Sequence, residues 1–220
     1  MNKAFYIKVT LVFLLVVAFG FIEASVVVYL RQIYYPEGFH FPIKRLYDTT
    51  LVIELIREFS TLVVICTAAV LVSKKFWEGF GYFLIIFGIW DIFFYVWLKA
   101  AINWPESLFT FDVLFLLPVP WIAPVLAPVL VSLAMILIGF DLVRLYDKGF
   151  TIKPLFLHWV IVLVGTAIIF FSFMSDTGAG FYEQMPEPYN WFLLIIGIML
   201  YFIAYVLLRR HPLSRIQNIF

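Results

Sequence analysis

The stretch "VIELIREFS", residues 52–60, decides how the chain is interpreted, because it places three charged side chains inside an apolar run. Glu54, Arg57 and Glu58 lie within about one and a half helical turns of one another. A charge near the middle of a bilayer costs at least about 2.5 kcal/mol, so charges retained there usually face the bundle interior or a hydrated cavity. If its surroundings lie in a membrane, this stretch therefore predicts one wall of a buried polar site.

The composition indicates that the surroundings do lie in a membrane. Of the 220 residues, 65% are hydrophobic and 13% are charged, and the mean hydropathy is +1.04. A soluble domain needs far more polar surface than this composition offers. The 15 basic and 14 acidic residues nearly balance, so the chain lacks the basic field of a nucleic-acid-binding protein. We therefore expect an integral membrane protein that does not have nucleic acid as its partner.

Six apolar segments are long enough to cross a hydrocarbon core of about 30 Å as helices. Their connections are short, which predicts one membrane domain over residues 1–220. The sequence thus predicts an all-α membrane protein built as a bundle of six transmembrane helices. The predicted spans are residues 9–30, 50–73, 76–98, 113–140, 155–174 and 191–208.

Lysine and arginine collect on one side of this predicted topology, which indicates the cytoplasmic side. These bases are Lys3, Lys8, Lys74, Lys75, Arg144, Lys148, Lys153, Arg209, Arg210 and Arg215. In contrast, the loop between the last two spans carries Asp176, Glu183 and Glu187 and no base. Arg31, Lys44 and Arg45 in the first outer loop interrupt the bias. The pattern predicts a multi-pass protein of the inner (plasma) membrane with both termini in the cytoplasm.

Three carboxylates are predicted to lie at the same depth in different spans. Glu23, Glu58 and Asp91 are each about eight residues inside the outer boundary, which is a depth of roughly 12 Å. Glu54 is one turn shallower, and Asp112 lies at the outer mouth of the fourth span. Because buried acids face the bundle interior, we expect these side chains to converge on an outward-facing, acid-rich site.

The charges of this site do not balance. Glu54 and Glu58 are four residues apart and repel each other, and Arg57 can neutralise one of them more easily than both. The excess acid predicts protons held on the carboxyl groups, a bound cation or a substrate amine. His40, in the first outer loop, is a candidate to close over the site. No two histidines share a depth, which argues against a bis-histidine haem, and the sequence assigns no cofactor or metal.

The fourth predicted span contains four prolines within eleven residues, in "PVPWIAPVLAP". They are Pro118, Pro120, Pro124 and Pro128. Each proline inside a helix removes a backbone hydrogen bond and clashes with the preceding turn. We therefore expect the outer half of this span to be kinked or broken, close to the acid-rich site.

The last span, with its flanks, resembles the PEP-CTERM sorting tail. Residues 185–210 contain Pro186, Glu187 and Pro188, then one apolar span, then Arg209 and Arg210. In that family the tail implies processing and surface delivery of a secreted protein. This chain departs from the pattern, because five spans precede the tail and the chain continues past the arginines. We interpret the segment as the last membrane span.

Three classes of function fit these patterns. The first is a subunit of a larger membrane complex whose acid-rich site binds a quinone, a lipid or a cation. Its partners would be membrane lipid and other membrane subunits or a second copy of the chain. The second is an outer-leaflet enzyme that uses paired carboxyls for acid/base chemistry on a lipid or isoprenoid group. The third is an ion-coupled transporter. We expect the first, with the enzyme as the main alternative.

Overall fold

The computed structural model describes residues 3–44, 48–182, 184–210 and 214–215. These residues form seven helices and four short strands. The helices are α1 (Lys3–Tyr34), α2 (Asp48–Leu71), α3 (Phe76–Ile102), α4 (Leu126–Asp147), α5 (Phe156–Met174), α6 (Thr177–Phe181) and α7 (Trp191–Arg210). The strands are β1 (Phe111–Phe115), β2 (Trp121–Pro124), β3 (Phe150–Thr151) and β4 (Ser214–Arg215). The fold is mostly helical rather than all-α.

Five of the described helices, α1, α3, α4, α5 and α7, are long and apolar enough to cross a membrane. This confirms a multi-pass apolar bundle but not the full count of six transmembrane helices. Helix α2 has 24 residues, which is sufficient length, but Glu54, Arg57 and Glu58 interrupt its apolar character. The remaining helix, α6, has only 5 residues and lies between α5 and α7.

The fourth predicted span is wrong in its outer half. Residues 111–124 form an antiparallel hairpin, in which Phe111 pairs with Pro124 and Asp112 with Ala123. Helix α4 begins only at Leu126. The physical reason is the run of prolines, since Pro118 and Pro120 lie at the hairpin tip, where a helix would lose backbone hydrogen bonds. The prediction that prolines break this segment is therefore correct, but it did not anticipate strands.

Helices α3 and α4 make the most extensive helix contact in the bundle, and glycines bring their backbones together. A Cβ atom added at Gly139 would lie 2.6 Å from the carbonyl oxygen of Gly81, and one added at Gly88 would lie 2.6 Å from that of Ser132. Both distances are too short for a side chain. Small residues at such crossings allow close helix packing in membranes, and here they fix α3 against α4.

Replacing Gly139 by alanine is expected to lower the free energy of unfolding by about 1–3 kcal/mol, since the added methyl group overpacks the crossing. Gly20→Ala in α1 is the matched control. A Cβ atom there would meet its nearest neighbours at 3.5 Å, which is ordinary contact. Denaturation of both variants in the same detergent measures the difference. Equal stability of the two variants would contradict the packing described for α3 and α4.

Helices α5 and α7 form a second tightly packed pair. The added Cβ of Gly197 would lie 3.0 Å from the carbonyl oxygen of Gly165, and the hydroxyls of Thr166 and Tyr201 are 2.8 Å apart. This pair is joined to α4 where the Tyr205 hydroxyl donates to Asp141 at 2.6 Å. An apolar cavity lies between the α3–α4 pair and the α5–α7 pair.

Candidate functional site

A cavity of about 460 Å³ lies among α1, α2, α3 and the hairpin. We refer to it as the acid-rich cavity. Its charged lining side chains are Glu23, Arg31, Lys44, Glu54, Arg57, Glu58, Asp91 and Asp112. The structure thus places six of the seven candidate residues from the sequence around one cavity, with His40 as the exception.

Arg57 connects α1 to α2. Its Nε and Nη2 atoms donate to Oε2 of Glu54 at 3.0 and 2.8 Å, and its Nη1 donates to Oε2 of Glu23. The Thr61 hydroxyl also donates to Oε2 of Glu23, at 2.8 Å. Both carboxylates are buried. A single guanidinium therefore satisfies two acids from different helices, using the fork of donors that lysine lacks.

Glu58 lies on the same face of α2, one turn beyond Glu54, and contacts the hairpin instead of Arg57. Its two carboxylate oxygens accept hydrogen bonds from the backbone N–H of Leu116, at 3.0 and 2.9 Å. Leu116 follows directly after strand β1, so this contact holds the hairpin tip against α2. Glu58 forms no ion pair within the described part of the chain.

Arg31 and Asp112 form a buried ion pair, with Nη2 and Oδ1 2.9 Å apart. The guanidinium lies between two rings, 4.2 Å from the centroid of Phe39 and 3.6 Å from that of Trp104. Burial raises the pKa of the Asp112 carboxyl to about 6, against the opposing effect of Arg31. Asp112 is therefore mostly ionised at neutral pH, and the pair joins α1 to strand β1.

Asp91 forms its hydrogen bond with a residue of α4. Its Oδ2 accepts a hydrogen bond from the Ser132 hydroxyl at 2.8 Å. The close approach of α3 to α4 at Gly88 makes this contact possible. Asp91 also forms no ion pair with any residue that the structure describes.

His40 lies outside the cavity. Its side chain is exposed, its Nδ1 is 3.2 Å from the backbone oxygen of Phe41, and its ring contacts that of Tyr35. The neighbouring Phe39 lines the cavity instead. The first loop therefore contributes an aromatic ring to the site at the position where the sequence suggested an imidazole.

Two hydrogen-bond donors in the cavity lining were not selected from the sequence. Trp90 is 6% exposed and Arg31 is 7% exposed. The indole Nε1 of Trp90 and the Nη1 of Arg31 are buried and have no acceptor among the residues that the structure describes. The feature of the sequence that could have indicated Trp90 is its position next to Asp91. For Arg31 it is the position of a base on the side of the bundle opposite to most of the lysines and arginines.

A second cavity, of about 540 Å³, adjoins the first. We refer to it as the apolar cavity, since its lining is mostly aliphatic and aromatic. Asp91, Leu114 and Phe115 line both cavities, so the two spaces meet at these residues. The size of each cavity falls within the range of small-molecule binding sites.

Within the described ranges, no group of three or more His, Cys, Asp and Glu side chains is arranged to hold a metal ion. The acid-rich cavity nevertheless contains five carboxylates, and its two arginines are already engaged with three of them. Glu58 and Asp91 are the acids without a basic partner in these pairs.

No family model, no curated protein and no solved structure matches the chain, so its function is inferred from the site alone.

Proposed function

We propose that the protein is a ligand-binding component of a membrane complex. In this proposal the acid-rich cavity faces outward and holds the polar head of a membrane-resident ligand, one that donates hydrogen bonds or carries positive charge. The observation that carries the proposal is the pair of acids, Glu58 and Asp91, which line one cavity without a basic partner among the described residues. A donor or a cation is the chemistry that carboxylates bind.

The proposal includes a membrane setting. It assigns six spans, with α2 as the second, to a protein of the inner (plasma) membrane whose termini are both cytoplasmic. The distribution of lysine and arginine supports this orientation. The cavity would then open toward the outer leaflet, near Lys44 and the first outer loop.

Binding fits the contacts of the site better than the alternative functions do. An acid/base enzyme needs two carboxyls directed at its substrate, whereas Glu54, the acid one turn from Glu58, is held by Arg57. A transporter needs polar groups that continue across the bundle. The cavity that adjoins Asp91 is instead mostly apolar in its lining.

The test compares three twelve-carbon probes on the full chain in lipid nanodiscs: a primary amine, a primary alcohol and a methyl ester that only accepts hydrogen bonds. Tryptophan fluorescence reports the Kd of each. We expect the amine or the alcohol to bind more tightly than the ester. The double variant Glu58→Gln/Asp91→Asn should weaken that binding roughly tenfold or more, as loss of a hydrogen bond to a charged group does.

The matched control is Glu106→Gln/Asp147→Asn, which removes two exposed acids outside both cavities. It should leave every Kd unchanged. If the ester binds as tightly as the donors, or if the two double variants behave alike, the cavity does not act as proposed.

A further inference from the structure

We propose that the ligand is a single-chain amphiphile with a hydroxyl-bearing head, and that its hydrocarbon chain occupies the apolar cavity. This inference rests on the proposed function and extends it, because it assigns the chemistry of the head and gives a role to the second cavity. Prenols, prenylated quinols and long-chain alcohols share this chemistry.

The case for a hydroxyl comes from acceptors without a basic partner and donors without an acceptor, which line the same cavity. Glu58 and Asp91 offer acceptors, while Nε1 of Trp90 and Nη1 of Arg31 are buried donors that no described residue satisfies. An ammonium group donates but cannot accept, and an ester accepts but cannot donate. A hydroxyl does both, and as a neutral group it avoids the cost of bringing a further charge into the bundle.

A diacyl phospholipid fits the cavity poorly on charge. Its phosphate would lie among five carboxylates. The two arginines of the lining are engaged in ion pairs with acids of the site, and Nζ of Lys44 donates to the backbone oxygen of Tyr34. Like charges brought together in a medium of low dielectric repel strongly. The head is therefore expected to carry no anionic group.

The continuity between the two cavities indicates where the hydrocarbon chain of the ligand lies. Asp91, Leu114 and Phe115 line both spaces, so a head hydrogen-bonded to Asp91 lies at the entrance to the apolar cavity. The apolar cavity lies between two tightly packed helix pairs and borders α3 from Trp77 to Asp91. A hydrocarbon chain is the part of a membrane ligand that gains from this lining.

A line of aromatic rings along α3 connects the two cavities. Phe80, Phe83, Phe87 and Trp90 follow one another with ring centroids 6.5, 6.0 and 5.5 Å apart, and Phe115 of the hairpin lies 6.1 Å from Trp90. Three of the four α3 rings line the apolar cavity, and Trp90 lines the acid-rich one. A ligand whose hydrocarbon chain lies along these rigid rings would place its polar head beside Asp91.

The test uses long-chain probes with the same nanodisc assay. These are a twenty-carbon isoprenoid alcohol, a saturated alcohol of equal chain length, the corresponding saturated amine and a chain-less diol. The variant Val131→Phe/Val162→Phe adds bulk to two half-buried positions in the lining of the apolar cavity. Leu133→Phe/Val164→Phe is its control, because it adds bulk to the same two helices at exposed positions outside both cavities.

We expect the alcohols to bind at least tenfold more tightly than the amine and the diol. Val131→Phe/Val162→Phe should weaken alcohol binding by tenfold or more, and its control should leave that binding unchanged. Preference for the isoprenoid or for the saturated alcohol identifies the kind of hydrocarbon chain, and equal binding also supports the proposal.

A brominated alcohol provides a second measurement that does not depend on the bulky variants. Its bromine should quench tryptophan fluorescence less in Trp77→Phe, which alters the apolar cavity, than in Trp191→Phe, which does not.

The possible failures of the two proposals can be told apart. Tight binding of the amine without the alcohols, abolished by Glu58→Gln/Asp91→Asn, would overturn this inference and leave the proposed function intact. Alcohol binding that responds to Val131→Phe/Val162→Phe but not to the acid variant would overturn both the head assignment and the proposed function. If no alcohol binds, or if the chain-less diol binds equally well, the inference is wrong.

Discussion

Replacing Arg57 by methionine is expected to lower the free energy of unfolding by about 3–5 kcal/mol, the cost of leaving a buried charge without its partner. Arg57 donates to both Glu23 and Glu54, so its loss leaves two acids of different helices uncompensated. The contact between α1 and α2 depends on this guanidinium, and α2 should detach first.

Arg144→Met is the matched control for this prediction, since Arg144 is exposed at the other end of the bundle. Denaturation in a fixed detergent, followed by helical circular dichroism, measures both variants. In the Arg57→Met background, a further Glu54→Gln change should recover part of the loss because it removes one uncompensated charge. If Arg57→Met is no less stable than Arg144→Met, the ion-pair network does not hold the helices together.

Replacing Arg31 by methionine should also cost about 3–5 kcal/mol at pH 7.5, because Asp112 loses its buried partner. The rings of Phe39 and Trp104 also lose their contacts with the guanidinium. Arg31→Lys keeps the charge but not the planar shape that fits between two rings, so its stability should be intermediate.

The cost of Arg31→Met should fall with pH. The pKa of Asp112 is raised to about 6, so the folded protein binds this proton more tightly than the unfolded chain does. Below pH 6 the carboxyl becomes neutral and no longer needs a cation. Because Arg31 opposes the rise of this pKa, its removal raises the pKa of Asp112 further, so the carboxyl of the variant is also neutral at low pH. The difference in stability between the unaltered protein and Arg31→Met should therefore be smaller at pH 5 than at pH 7.5. An equal difference at both values would show that the ion pair is not its source.

Depth counting along the predicted spans led to most of the residues that the structure places in the acid-rich cavity. It was effective for Glu23, Glu54, Glu58 and Asp91 because a charge in an apolar run is costly unless it faces the bundle interior. It did not reveal that Asp91 pairs with Ser132, since that contact depends on how closely two distant helices approach.

The hairpin could not be derived in the same way. The prolines between Leu117 and Leu126 show where a helix cannot continue, but they do not specify what replaces it. Strand pairing depends on side chains from both strands and on partners elsewhere, here Glu58 and Arg31. The unpaired donors of Trp90 and Arg31 were missed for a related reason, because hydrogen-bond satisfaction is a property of the assembled site and not of a local sequence.

The glycine contacts between α3 and α4 have a consequence for affinity. They hold Asp91 and Ser132 at hydrogen-bond distance across the most extensive helix contact of the bundle, so the junction of the two cavities is already ordered before a ligand arrives. A site that is preorganised in this way loses little conformational freedom on binding. Substitutions at Gly88 should therefore lower the affinity for the ligand without contacting it, because they loosen the position of Asp91, to which the head of the ligand binds.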